Sequence, residues 1–245
     1  LHRMPIAERL RPILPDLAAG AGLALVVHAA LPLSLPVMPL AILATALVYA
    51  GVAAAIGRAW PAHRREFGWP NRVTLARAAL VAVLAGLLVA PSAIAEHGRL
   101  LAALAALALV LDGLDGWLAR VTGRVSAFGA RFDMEIDALL ILVLSLALAL
   151  TGKVGPWVLA IGLMRYVFVG AGRAWPELTA DLRPSAPRKI VCVLQGIVLA
   201  ACLVPAVSAD WARSLAALAL LALAASFLRD TVELMRRSDP AGDPR

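Results

Sequence analysis

The chain has 245 residues, of which 62% are hydrophobic and only 16% are charged. Soluble domains are about 45–50% apolar and about 25% charged, so this composition excludes a disordered chain, a disulfide scaffold and almost any water-soluble enzyme. The formal net charge of +7 would indicate nucleic acid in a soluble protein. Here only 5% of the residues are aromatic, and loops beside membrane helices collect Lys and Arg. We therefore predict an all-α, polytopic integral membrane helical bundle with no nucleic-acid partner.

Apolar stretches of about membrane-spanning length predict eight transmembrane helices. Pro, Gly or charged residues separate these stretches. The predicted spans are 17–37, 39–57, 74–92, 99–119, 130–151, 154–171, 189–207 and 211–228. The first stretch has the basic flank of a signal peptide, but no small-x-small cleavage site follows it, so we interpret it as a retained span.

The spans and loops divide the chain into four parts. We predict an N-terminal helical hairpin at 1–57, an interfacial basic segment at 58–70, a six-span core at 71–232 and a cytoplasmic tail at 233–245. In the basic segment, Trp60 and Trp69 are expected near lipid headgroups. Most of the 23 Lys and Arg residues fall in alternate loops, on the side of both termini. The positive-inside rule makes that side cytoplasmic, and we expect a bacterial inner membrane.

Four aspartates lie inside two neighbouring predicted spans, where a carboxylate is costly and indicates function. Asp112 and Asp115 come near the end of one span, and Asp133 and Asp137 come near the start of the next. Spacings of three and four place each pair on one helix face. Asp112 and Asp137 are both expected roughly 12 Å from the cytoplasmic ends of their helices. Two antiparallel helices would therefore hold four carboxylates at matching depth.

Four like charges in one place require cations. Arg120 and Arg131, the nearest arginines in sequence, are too few and too shallow to supply them. Oxygen ligands favour Mg²⁺ or Mn²⁺, and the lack of nearby His and Cys argues against zinc. A pair of such ions is typical of phosphoryl chemistry. Helix caps and salt bridges at the membrane edge would explain Asp115 or Asp133 alone, but not four aligned acids.

The residues around the aspartates resemble a family signature. Residues 112–120 read DGLDGWLAR, eight residues follow, and residues 129–137 read GARFDMEID. This run resembles the signature DxxDGxxAR, eight residues, GxxxDxxxD of the CDP-alcohol phosphotransferase family, and all eight signature positions match. Upstream, residues 70–77, PNRVTLAR, resemble the segment before the family's first core helix. The resemblance covers the six-span part of the chain and not the N-terminal hairpin.

The resemblance implies an integral membrane enzyme, usually a homodimer, among membrane lipids. Such an enzyme would move a substituted phosphate from a CDP-linked lipid donor, CDP-diacylglycerol, to a small alcohol acceptor in phospholipid synthesis, and would release CMP. Carried over by position, the metal ligands would be Asp112, Asp115, Asp133 and Asp137, and Asp137 would also be the general base. The nucleotide and diphosphate site would comprise Asn71, Thr74, Arg77, Gly116, Ala119, Arg120 and Gly129.

General chemistry agrees with several of these roles. Gly116 and Gly129 would let a base or ribose approach the backbone closely, although small-residue helix packing explains them as well. Arg120, at the cytoplasmic mouth, suits a phosphate or carboxylate. Asp137 would serve as a base in line with the attacked phosphorus. Glu135 is two residues from Asp133 and so points to another face, where we expect it to pair or stay solvated.

The acceptor alcohol is the open question. Family members that act on phosphorylated acceptors often carry Lys or Arg after the last aspartate, whereas this chain has Ala138. Arg165 nevertheless matches an arginine of phosphatidylglycerophosphate synthases, and residues 188–195 partly resemble their GKxKTxxQ stretch. A buried Arg165 needs an anionic partner, so we predict that Arg165 and Lys189 face the acceptor pocket. Lys189 would also fit as a membrane-edge anchor.

Three alternatives stand beside this prediction. The first is a phosphatidylglycerophosphate synthase that uses glycerol phosphate. The second is a divalent-cation transporter, which would need polar residues that continue to the outer halves of the spans, and those halves are almost wholly Leu, Ala and Val. The third is a catalytically inactive scaffold, which the intact signature argues against.

Overall fold

A computed structural model describes residues 10–31, 38–61, 64, 66–123, 125–172, 175 and 186–238, without the side chains of residues 93, 186–189 and 236–238. Every regular element in these ranges is helical. Two short 3₁₀ turns lie at Arg11–Ile13 and Pro156–Val158. The helices in these ranges are α1 (Leu14–Ala29), α2 (Met38–Ala59), α3 (Trp69–Leu87), α4 (Pro91–Glu96), α5 (Gly98–Val121), α6 (Ala127–Leu150), α7 (Leu159–Ala171), α8 (Ala186–Leu203) and α9 (Ala209–Ser238).

Five helices in the described part of the chain are long and apolar enough to cross a membrane, which confirms a polytopic helical membrane protein. They are α1 with its preceding turn, α2, α3, α5 and α9. The apolar helices at Pro156–Ala171 and Ile190–Leu203 are shorter. Helix α6 has 24 residues but carries several charged side chains in its first half. The total of eight spans stays a prediction.

Several helix boundaries differ from the predicted spans; α1 ends at Ala29 where the predicted span ends at 37, and α3 ends at Leu87 where it ends at 92. Helix α3 begins at Trp69, five residues before the predicted start at 74. Gly68, with a φ of 82°, turns the chain into the helix, and Pro70 occupies its first turn, where a missing backbone N–H costs nothing. Helix α9 extends to Ser238, well past the predicted end at 228, and its last turns bury Leu234. The predicted tail therefore begins inside a helix, and its residues 239–245 lie outside the described ranges.

Helix α3 lies at the centre of the bundle. In its most apolar part, 78% of the residues are buried, against 22–28% in the other four long apolar helices. It packs against α1, α2, α5 and α6. Apolar and small residues occur all round this helix, which is the pattern of a fully enclosed helix. The polar side chains of α3 are therefore surrounded by protein and need partners there.

The N-terminal hairpin, α1 and α2, is fastened directly to α3. The Tyr49 hydroxyl donates to the Leu17 carbonyl at 2.8 Å and ties α2 to α1. Arg72 of α3 forms an ion pair of 2.7 Å with Asp16 of α1. Gly86 of α3 lies against the backbone of α2. The hairpin thus covers the helix that carries residues 71, 74 and 77 of the predicted site.

The contact at Gly86 predicts opposite effects for two glycine substitutions. A Cβ at Gly86 would lie 2.6 Å from the Ala41 carbonyl oxygen, whereas a Cβ at Gly51 of α2 would meet nothing within 4 Å. Gly86→Ala is expected to lower the melting temperature by roughly 5 °C, because the added methyl group would force the backbone of α2 to move away from α3. Gly51→Ala is expected to leave it unchanged or raise it slightly, since Ala is the better helix former. Thermal unfolding in detergent measures both. Equal shifts would contradict this close packing of α2 on α3.

The other helices complete the enclosure of the site. A turn of a few residues joins α5 to α6, and the Ser126 hydroxyl caps α6 by accepting from the Gly129 N–H at 3.0 Å. Helix α6 packs against α7 and α8, and α9 packs against α8. At the opposite end of the bundle, the Lys153 ammonium donates to the Val204 carbonyl at 2.7 Å and satisfies a group just past the end of α8.

Candidate active site

The start of α3, the end of α5 and the start of α6 lie at one end of the bundle. Arg77 follows Trp69 by eight residues, Asp112 precedes Val121 by nine, and Asp137 follows Ala127 by ten. At 1.5 Å per residue, all three side chains originate roughly 12–15 Å from that end. The three helices therefore bring their polar residues to one depth.

The four aspartates, called the aspartate cluster below, meet around one guanidinium. Arg77 is 0% exposed and is surrounded by the carboxylates of α5 and α6. Its Nη1 donates to Asp115 Oδ2 at 2.9 Å and to Asp133 Oδ1. Its Nη2 donates to Asp137 Oδ1 and lies 3.1 Å from Asp112 Oδ1. A single residue of α3 thus contacts all four carboxylates.

Three members of the cluster are placed to share a metal ion. Asp112, Asp133 and Asp137 each offer an oxygen, and these oxygens lie within 4.8 Å of one another. Asp115 is the most buried of the four, 4% exposed, and accepts from the Thr74 hydroxyl at 2.8 Å. All the ligand atoms are oxygens, which suits a hard divalent cation. Four carboxylates against one guanidinium also leave an excess of negative charge that a cation would offset.

Asn71 and Gly129 meet beside the cluster. The Asn71 Nδ2 donates to the Phe67 carbonyl at 2.5 Å. A Cβ at Gly129 would lie 2.8 Å from Asn71 Oδ1 and 3.1 Å from Ser126 Oγ. The space that Gly129 leaves free is therefore occupied by the Asn71 amide, so helix packing accounts for this glycine.

The other predicted nucleotide residues lie on the last turns of α5. A Cβ at Gly116 would meet only Arg120 Nη1, at 3.4 Å, so this glycine faces open space. Ala119 is half-buried, and Arg120 is exposed in the last turn of the helix. These residues form an open surface at the mouth of the site.

The predicted acceptor residues are only partly described. Arg165 of α7 pairs with Glu135 of α6, the residue between Asp133 and Asp137 that was expected to pair or stay solvated. Arg165 is 32% exposed and Glu135 is 56% exposed. Arg165 has the anionic partner that its position within a helix requires. The side chain of Lys189 lies outside the described residues.

An aromatic group beside the site was not predicted. Trp60 lies 5.5 Å from Phe67 and 5.1 Å from Phe128 between ring centroids, and Phe67 lies 6.2 Å from Phe132. The prediction that Trp60 faces lipid headgroups is wrong, because it is only 1% exposed, whereas Trp69 is 61% exposed. Phe128 and Phe132 directly precede Gly129 and Asp133, so this aromatic group packs the segment before α3 against the start of α6.

Comparison with known proteins agrees with the signature. Residues 67–228, more than half of the chain, match the family model of CDP-alcohol phosphatidyltransferase. No solved structure matches the chain. The matched range includes every member of the aspartate cluster and begins just before α3, so the N-terminal hairpin lies outside it. The chain belongs to the CDP-alcohol phosphatidyltransferase family.

Proposed function

We propose that this protein transfers a substituted phosphate from CDP-diacylglycerol to a small alcohol, with release of CMP, in phospholipid synthesis. The observation that carries the proposal is the convergence of Asp112, Asp133 and Asp137 within 4.8 Å inside the range that matches the family. A membrane enzyme with a lipid donor needs a site that can be reached from one face of the bilayer. The depth of roughly 12–15 Å from one end of the bundle agrees with this need.

We propose that the cluster holds two divalent ions, Mg²⁺ or Mn²⁺. Asp112, Asp133 and Asp137 would supply the shared oxygens, and Asp115 would complete the set. Such ions, held by these carboxylates, would offset the negative charge that develops on the leaving group. The proposal accounts for the excess of negative charge around Arg77.

In the proposed reaction, Asp137 takes the proton from the acceptor hydroxyl. Its side chain is 37% exposed, so an alcohol can reach it. The acceptor oxygen then forms a bond to the phosphorus of the lipid phosphate, the bond from that phosphorus to the CMP oxygen breaks, and CMP leaves with the electron pair. Thr74 orients Asp115 through its hydrogen bond. Arg120 binds a phosphate at the mouth, and Asn71, Gly116 and Ala119 line the nucleotide site together with Arg77. Gly129 contributes by leaving room for the Asn71 amide.

An anionic acceptor would depend on Arg165. Arg165 pairs with an exposed carboxylate, and its buried Nε has no hydrogen-bond partner within the described ranges. A phosphate would offer this arginine more acceptor atoms than Glu135 does. The second candidate is a phosphatidylglycerophosphate synthase that uses glycerol phosphate, with Arg165 and Lys189 at the acceptor. It requires Arg165 to exchange Glu135 for the acceptor phosphate.

Orientation and assembly follow from the same reasoning. The excess of Lys and Arg on one side supports cytoplasmic termini and a cytoplasmic site in a bacterial inner membrane. A homodimer is proposed from the family alone.

The far half of α3, from Ala78 to Leu87, is apolar, which disfavours the hydrated path that a cation transporter needs.

CMP release tests the proposed function. The purified protein is incubated with CDP-diacylglycerol and Mn²⁺ or Mg²⁺, and the acceptors are glycerol 3-phosphate, inositol phosphate and unphosphorylated alcohols. We expect CMP release that depends on one acceptor and is lost in EDTA, with the lipid product identified by mass spectrometry. If no CMP is released with any acceptor, and Mn²⁺ enters proteoliposomes that contain the protein, the transporter would be favoured.

A further inference from the structure

We propose that Arg77 is the resident counter-cation of the aspartate cluster, and that divalent ions occupy the cluster by displacing its guanidinium. This inference rests on the proposed function, since it concerns the same carboxylates. It assigns to Arg77 a task in metal loading that is separate from contact with the diphosphate. Arg77 is thus a positioning residue for the metal-free cluster.

The first support is that Arg77 and a metal ion compete for the same oxygens. Of the three aspartates that are close enough to share an ion, Asp133 and Asp137 accept hydrogen bonds from Arg77, and Asp112 lies 3.1 Å from it. A divalent ion of this class takes carboxylate oxygens into its own coordination shell at about 2.0–2.6 Å. A cation among these three oxygens would lie against the guanidinium and be repelled by it.

The second support is that, among the described residues, Arg77 forms ion pairs with the four aspartates and with no other carboxylate. Arg77 is 0% exposed and belongs to the most enclosed helix of the bundle. Its Nε is buried and has no hydrogen-bond partner among the described residues. A buried charge is stable only with close counter-charges, so the cluster and Arg77 stabilise each other.

The third support is the position of the neighbouring polar residues on α3. Thr74, one turn before Arg77, donates to Asp115, and Asn71 one turn earlier is bound to the Phe67 carbonyl. Both side chains are neutral and have partners of their own, so Arg77 supplies the positive charge that these turns of α3 bring to the cluster. In the metal-free protein, Arg77 therefore neutralises part of the negative charge of the four aspartates and occupies part of the space where a metal ion would bind.

Arg77→Met separates this inference from a purely structural role. The full chain in detergent is titrated with Mn²⁺, with no nucleotide and no alcohol, and its melting temperature is measured in EDTA and in Mn²⁺. Without Arg77, we expect the melting temperature in EDTA to fall by roughly 10 °C, because the carboxylates lose their partner. We expect the Mn²⁺ affinity to rise at least about tenfold, because a competing charge is gone. A merely structural arginine would not tighten metal binding.

Arg72→Met is the matched control. Arg72 lies on the same helix but pairs with Asp16 and stacks on Trp69, outside the aspartate cluster. Its Mn²⁺ affinity should equal that of the unchanged protein. Arg77→Lys is the second variant if the Met variant does not fold. Its single ammonium cannot bridge the carboxylates with two nitrogens, so its Mn²⁺ affinity should also exceed that of the unchanged protein.

Mn²⁺ affinity that is unchanged or weaker in folded Arg77 variants overturns the inference, and so does a lack of Mn²⁺ binding to all of the proteins. Failure of the proposed function gives a different result. In that case no CMP is released with any acceptor. The Arg77 variants nevertheless bind Mn²⁺ more tightly than the unchanged protein and the Arg72 control.

Discussion

Asp137→Asn is expected to lower kcat by about 10²–10⁴-fold while the protein still binds its CDP-linked donor. The amide has the size of the carboxylate but cannot take the proton from the acceptor hydroxyl. Asp137 is partly exposed, at 37%, and belongs to the trio whose oxygens lie within 4.8 Å. Rates are therefore compared at saturating Mn²⁺, so that a lower rate reflects the loss of the general base and not weaker metal binding. CMP release gives the rate, and calorimetry with CDP-diacylglycerol gives the donor affinity.

The control for this variant is the same substitution at Asp210. That carboxylate is 92% exposed on α9 and pairs with Arg213 three residues along the helix. Asp210→Asn should leave CMP release unchanged. A turnover in Asp137→Asn within a few-fold of the unchanged protein would remove Asp137 from the role of general base.

Trp60→Ala is expected to lower the melting temperature by about 10 °C, because truncation of a fully buried aromatic side chain costs about 3–5 kcal/mol. Trp60 is 1% exposed and contacts both Phe67 and Phe128. The Phe67 carbonyl holds Asn71, so a looser aromatic group should also weaken donor binding. Thermal unfolding and donor calorimetry measure the two effects.

Two variants control for the loss of a tryptophan. Trp60→Phe should shift the melting temperature far less than Trp60→Ala, since the indole Nε1 has no hydrogen-bond partner within the described ranges. Trp211→Ala removes a side chain that is 68% exposed and should have little effect. A Trp60→Ala protein as stable as the Trp211→Ala protein would show that the aromatic group contributes little to stability.

The aspartates were predictable because their signal is local. Each pair lies on one helix at a spacing of three or four, and the two helices are joined by a short turn, so their convergence follows from helix geometry. The partnership with Arg77 is not local, because Arg77 precedes Asp115 by 38 residues and Asp137 by 60. The signal that could have found it was the position of an arginine inside a span, which demands an anionic partner.

The region before α3 was harder to predict for a related reason. Trp60 and several basic residues in 58–70 are typical of a segment on the membrane surface. Trp60 packs against Phe67 and against Phe128, and Phe128 lies on α6 in a distant part of the chain. The start of α3 was missed because the polar residues after Trp69 resemble a loop, whereas Asn71 and Thr74 are buried by their partners.

The charge on α3 affects how the chain enters the bilayer. Of the five helices long and apolar enough to span, α3 has the lowest mean hydropathy, and an arginine at mid-span adds about 2.5–3.5 kcal/mol to the free energy of insertion. Asp137 is synthesised 60 residues after Arg77, a delay of about 3–12 s at ordinary rates of translation. During that delay the hairpin of α1 and α2, made before α3, offers it an apolar protein surface. We therefore expect the hairpin, which lies outside the family match, to hold the least apolar of these five helices in the membrane until the acidic helices are made.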